Sequence, residues 1–114
     1  MFESTEKIPY APREDSGGHI KLDLNLSPLK LRELSDSEDF DIVWQVAGHL
    51  RTPKPTIAKL MNNRYESIRT NAVQNLSAPV GALRKRRDDK NEVERVRELA
   101  ARTLRHIGTE NSKR

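Results

Sequence analysis

Ile68-Arg69-Thr70-Asn71-Ala72-Val73-Gln74-Asn75-Leu76-Ser77-Ala78-Pro79 is the stretch that decides the fold. Ile68, Ala72, Val73 and Leu76 fall on one helical face, and Pro79 then opens a new segment. The same step occurs twice upstream, at Ser27-Pro28 and Thr52-Pro53, so the three prolines lie 25 and 26 residues apart. Behind each comes a short apolar-spaced piece, a polar break and a longer amphipathic piece: Leu29–Leu34 with Val43–Leu50, Ile57–Met61 with Ile68–Leu76, and Val80–Leu83 with Val96–Leu104. A period of 20–50 residues signals a supersecondary unit that buries its apolar face only by stacking on copies of itself. Such an array presents a surface, which points to a binding module before an enzyme.

Local signals support helices. Ser27 and Thr52 are good N-cap residues ahead of a proline at the first helical position, where the missing N–H costs nothing. The longer pieces carry the stripes Ile42, Val43, Val46, Ala47, Leu50; Ile68, Ala72, Val73, Leu76; and Val96, Leu99, Ala100, Leu104, Ile107. Aligning Ala47, Ala72 and Ala100 puts a small residue wherever neighbouring helices approach. The third unit is longer by two or three residues in its turn, Asp88-Asp89-Lys90-Asn91, and Gly108 ends the last helix.

The Ile68–Pro79 stretch resembles the repeat of leucine-rich-repeat-variant (LRV) proteins, which runs Val-Arg, two variable positions, two small apolar ones, a spacer, Asn, then a Ser/Thr-Pro-like step. Val43-Trp44 with Thr52-Pro53, and Val96-Arg97 with Ala100-Ala101, are similar to it, and the pattern shades into HEAT-like repeats. The resemblance implies an all-α, right-handed α-solenoid of three ~25-residue repeats over residues 27–107. Family members that hold an iron–sulfur cluster do so through cysteines; this chain has none, so that activity is not carried over and no cofactor is expected.

Composition frames the rest. The chain has 114 residues, 34% hydrophobic and 33% charged, so core material is scarce and sits in the repeats. Without cysteine there are no disulfides, thiolate metal sites or cysteine nucleophiles. No apolar run reaches the ~18 residues of a membrane span and no signal-peptide pattern opens the chain, so a soluble cytoplasmic protein without a membrane partner is expected. Residues 1–41 carry ten acids against five bases and residues 42–114 sixteen bases against seven acids, which together give the net +4. Residues 1–18 read as a disordered acidic leader and 108–114 as a polar tail. Residues 19–26 alternate apolar and polar, a period-two strand signal, and are expected to lie extended as a cap on the first repeat or to pair two chains into a homodimer.

No residues assemble into a catalytic pattern: His19, His49 and His106 fall in three different segments, and no phosphate loop or nucleophile elbow is present. An enzyme is therefore not expected. The long helices should supply a contact face for a protein partner, with His49, Gln74 and Arg102 at equivalent positions forming a column on it. Arg69 and Arg97 read as rungs that pair with turn acids such as Glu66, Asp88 or Asp89, and Trp44 as an apolar lid. The alternative is a nucleic-acid partner. Arg84, Lys85, Arg86 and Arg87, four consecutive bases, would neutralise phosphates; or residues 42–63 would form a helix-turn-helix, with Lys54, Thr56 and Lys59 facing DNA. Leu22 to Pro28 also has a short likeness to a leucine-alternating repression motif of plant regulators.

Overall fold

The computed structural model describes residues 21–108. Among these the chain is all-helical, with no strand: α1 Pro28–Leu34, α2 Phe40–Gly48, α3 Lys54–Leu60, α4 Glu66–Val73, α5 Val80–Asp88 and α6 Glu94–Ile107. Each odd helix precedes an even one in a tight pair. α1 packs on α2, α3 on α4 and α5 on α6, while the even helices pack on one another in the order α2, α4, α6. The expectations for residues 1–20 and 109–114 lie outside the described residues.

Equivalent positions recur every 26 residues up to α5. Leu31, Ile57 and Leu83 are each fully buried and form the centre of the odd-helix layer. Ser27, Pro53 and Pro79 are the N-caps of α1, α3 and α5. The proline alignment is thereby corrected by one residue. Only Pro28 occupies the first helical position, behind Ser27, whose hydroxyl accepts from the Lys30 N–H at 3.1 Å. Thr52 caps nothing ahead of it. It is buried, and its hydroxyl donates backward to the Val46 carbonyl at 2.7 Å, closing the end of α2. Two residues are then added between the Asp89 turn and Val96, the insertion expected there, so α6 follows α4 at a spacing of 28. Ile42, Ile68 and Val96 form one buried row, and Val46, Ala72 and Ala100 another, no member being more than 1% exposed.

A turn of one design ends α2 and α4, and one like it precedes α1. The N–H of Leu26, Thr52 and Ala78 donates to the carbonyl of Asp23, His49 and Asn75 respectively. In each turn the first side chain also accepts from the backbone N–H two residues on, at 2.8 to 3.1 Å. The chain leaves the helix at these turns. Leu50 and Leu76, which helical continuation would bury, are therefore 62% and 51% exposed, as is their counterpart Leu24 at 74%. At the opposite edge Ser37, Asn63 and Asp89, again 26 apart, accept in the same way from Asp39, Tyr65 and Asn91 at 2.9 Å.

The strand suggested by alternation at 19–26 is not found over 21–26. The turn at Asp23 rotates Leu24 outward, while Leu22 and Leu26 enter the core beside α2. The Leu22 N–H donates to the Gln45 side chain at 2.8 Å. Over residues 21–26 this stretch covers the first helix pair as a turn. At the other end, Gly108 in the left-handed region (φ +95°) terminates α6, as expected.

Candidate binding surface on the long helices

α2, α4 and α6 lie side by side, and the side chains they turn away from the core border an open depression of about 550 Å³. α2 gives Trp44 as one wall and α6 gives Arg95 as the other. α4 supplies the floor, Ser67, Thr70 and Asn71, with Gln74 at its end. Asn71 is fixed by donating to the Trp44 carbonyl at 2.7 Å. Gly48 makes room for it, since a Cβ there would stand 2.7 Å from the Asn71 amide nitrogen. Gln74 is held by a 3.2 Å bond to the Thr70 carbonyl. Both amides thus place their nitrogens on carbonyls, which leaves their oxygens as acceptors.

Of the column expected here, Gln74 and Arg102 are exposed and His49 is not. The 26-residue register pairs Gln74 and Arg102 with Gly48. His49 belongs one residue on, in the buried row His49, Asn75 and Thr103. Its Nδ1 accepts from the Arg51 N–H, so Nε2 carries the proton and donates to the Asp23 carbonyl at 3.0 Å. Asn75 repeats the arrangement one unit later, donating to the carbonyls of His49 and Ala47 at 2.9 and 2.8 Å. His49 is therefore a rung between turns. The shared pairs Asp23-Leu24, His49-Leu50 and Asn75-Leu76, all 26 apart, were the sequence signal for this register. Ser67, Asn71 and Arg95 are the surface residues that alignment by prolines and alanines missed, and Trp44, expected as an apolar lid, lines the depression.

The basic quartet is divided. Arg84 and Lys85 are exposed on α5, but Arg86 bridges Asp89 at 3.0 Å and Glu92 at 3.2 Å, and Arg87 bridges Asp88 at 2.8 Å. Arg69 reaches Glu92 through two nitrogens, at 2.9 and 3.0 Å, and also donates to the Asn63 and Arg64 carbonyls. The expected rung is present in kind, with Glu92 as the acid in place of Glu66, Asp88 or Asp89. Arg97 instead donates to the Arg87 carbonyl at 3.1 Å. The Glu92 side chain is only 2% exposed. Burial pushes its carboxyl up, but the bonds from Arg69, the Val93 N–H and Arg86 outweigh this and hold it below the ordinary glutamate value.

Residues 42–63 do not present a reading helix. Thr56 is buried, the Lys54 ammonium donates to the Ser77 carbonyl at 2.8 Å, and Lys59 pairs with Asp36 at 2.9 Å. α3 packs chiefly on α4, whereas a helix-turn-helix needs it packed on α2. Among the described residues no group of three His, Asp or Glu side chains is placed to hold a metal ion, and no helix is long and apolar enough to cross a membrane. Comparison of the chain with protein-family models, with curated proteins and with solved structures finds no match.

Proposed function

We propose that the chain is a non-catalytic recognition module, a short right-handed solenoid of three LRV/HEAT-like repeats that binds a protein partner in the cytoplasm. The 26-residue recurrence of caps, turns and buried rows supports the repeat reading. One observation carries the function: the depression that crosses all three long helices, with an aromatic wall at Trp44, fixed amides on its floor and a cation at Arg95. Side chains locked by their own hydrogen bonds form a preorganised contact surface, which reduces the entropy lost on binding.

The nucleic-acid alternative would rest on α5. It is weakened by the engagement of Arg86 and Arg87 with Asp88, Asp89 and Glu92, which removes half of the quartet from phosphate contact. Affinity capture from the native cell, with and without nuclease, separates the two. A protein partner retained after nuclease and lost on combining Trp44→Ala with Gln74→Ala is the expected result. Capture that vanishes with nuclease, survives that double change and is lost on replacing Arg84 and Lys85 with Gln would overturn this assignment.

A further inference from the structure

Four of the eleven cations in residues 61–108 are held by an acid or a backbone carbonyl of the chain: Arg69 and Arg86 on Glu92, Arg87 on Asp88, and Arg97 on the Arg87 carbonyl. Arg95 and Arg102 differ. They lie seven residues apart on α6 and so share a face, both are exposed, and neither has an ion-pair partner among the described residues. Arg95 lines the depression, and Arg102 lies about two helical turns further along the same face of α6. The charge is graded along the chain. Residues 21–60 carry six bases and six acids, and residues 61–108 eleven bases and six acids, a net +5.

The opposite wall is Trp44, 40% exposed. Adjacent packed helices lie about 8–10 Å apart, so Trp44 on α2 and Arg95 on α6 are separated by roughly 20 Å, about six residues of extended chain. We propose that the depression binds an extended acidic peptide, with an apolar or aromatic residue against Trp44 and carboxylates about six residues further on against Arg95 and Arg102. This rests on the recognition-module reading and adds the chemistry of the partner. Arginine suits the task because its guanidinium meets a carboxylate through two parallel hydrogen bonds. A continuous polyphosphate fits less well, because Glu66 at the rim and Glu98 between the two arginines interrupt the cationic row. Separate carboxylates at fixed spacing avoid both acids.

Trp44 is the chain's one tryptophan, so its fluorescence reports occupancy directly. The full chain is titrated with a synthetic peptide bearing one leucine and, about six residues on, two glutamates. Three controls accompany it: the same composition with the glutamates beside the leucine, the glutamates replaced by lysines, and a single-stranded oligonucleotide. The acidic peptide should shift Trp44 emission saturably and bind at least ~5-fold tighter than its rearranged form. Arg95→Glu with Arg102→Glu should weaken it at least ~10-fold. Lys85→Glu on α5 should change affinity less than ~2-fold, and circular dichroism of both variants should be unchanged. No response to the acidic peptide, equal binding of the lysine peptide, or equal loss in the Lys85 variant overturns the proposal. If the lysine peptide alone binds, the module reading stands and only the acidic chemistry fails. If the oligonucleotide alone moves Trp44, both fail.

Discussion

The two junctions between successive helix pairs have similar backbone geometry and are held by different chemistry. Between the first pair and the second, the bonds are neutral apart from the exposed Lys59–Asp36 ion pair. Asn71 donates to the Trp44 carbonyl, Asn75 to those of Ala47 and His49, and the Ser77 hydroxyl to that of Leu50, while Phe40 and Tyr65 meet edge to face at 5.2 Å. Between the second pair and the third, the centre is ionic: one buried carboxylate, Glu92, shared by Arg69 and Arg86. Apolar rows at fixed spacing set how helices stack, and the polar groups that close each junction are interchangeable provided every buried one finds a partner. The chemistry does decide how each junction responds to acid. Amide–carbonyl bonds do not titrate in the acid range, and a carboxylate does.

Glu92→Ala should give the largest loss of stability, about 3 kcal/mol, because two partly buried guanidiniums lose their shared anion. Thermal unfolding measures it, and a loss no larger than that for an exposed residue would show the ionic centre to be decorative. The sign with pH follows from the lowered carboxyl. Its stabilisation is complete above the unfolded glutamate value of about 4.3 and is lost as pH falls through the folded value. Glu92→Gln should therefore flatten the acid limb of the stability profile and leave the slope above about pH 5 unchanged. An unaltered acid limb would place the sensitivity elsewhere.

Asn75→Ala should cost less, about 2 kcal/mol, since it removes the Ala47 carbonyl's donor and leaves the His49 carbonyl with the Thr52 N–H alone. That loss should not change between about pH 4 and 7, which sharpens the contrast with Glu92; denaturant melts at several pH values read it. The smallest effect is expected at Lys59–Asp36, an ion pair between the first two helix pairs whose side chains are 60% and 72% exposed. Lys59 holds the Asp36 carboxyl below its ordinary value, yet solvent screens the pair. Lys59→Ala should leave the melting temperature unchanged within error; a clear drop would mean that the first junction also depends on charge.

The helices, their approximate number, the terminating glycine and the longer turn before α6 were all legible in the sequence, because capping, amphipathic period and left-handed backbone preference act within a few residues. The register was legible only to within one residue. The first two prolines and the first two alanines lie 25 apart, whereas the turns at Asp23, His49 and Asn75 recur at 26, and one residue on a helix rotates a side chain by about 100°. That single step moves His49 from the surface to a buried rung and puts Gly48 in its place. Likewise, four consecutive bases read as one patch, while the fold gives Arg86 to Asp89 and Glu92 and Arg87 to Asp88. The groove from Trp44 to Arg95 was not legible, since its walls lie on α2 and α6 and meet only when α4 packs between them. Local chemistry determined what each segment became; contacts between residues 23 to 28 apart decided which side chains remained on the surface.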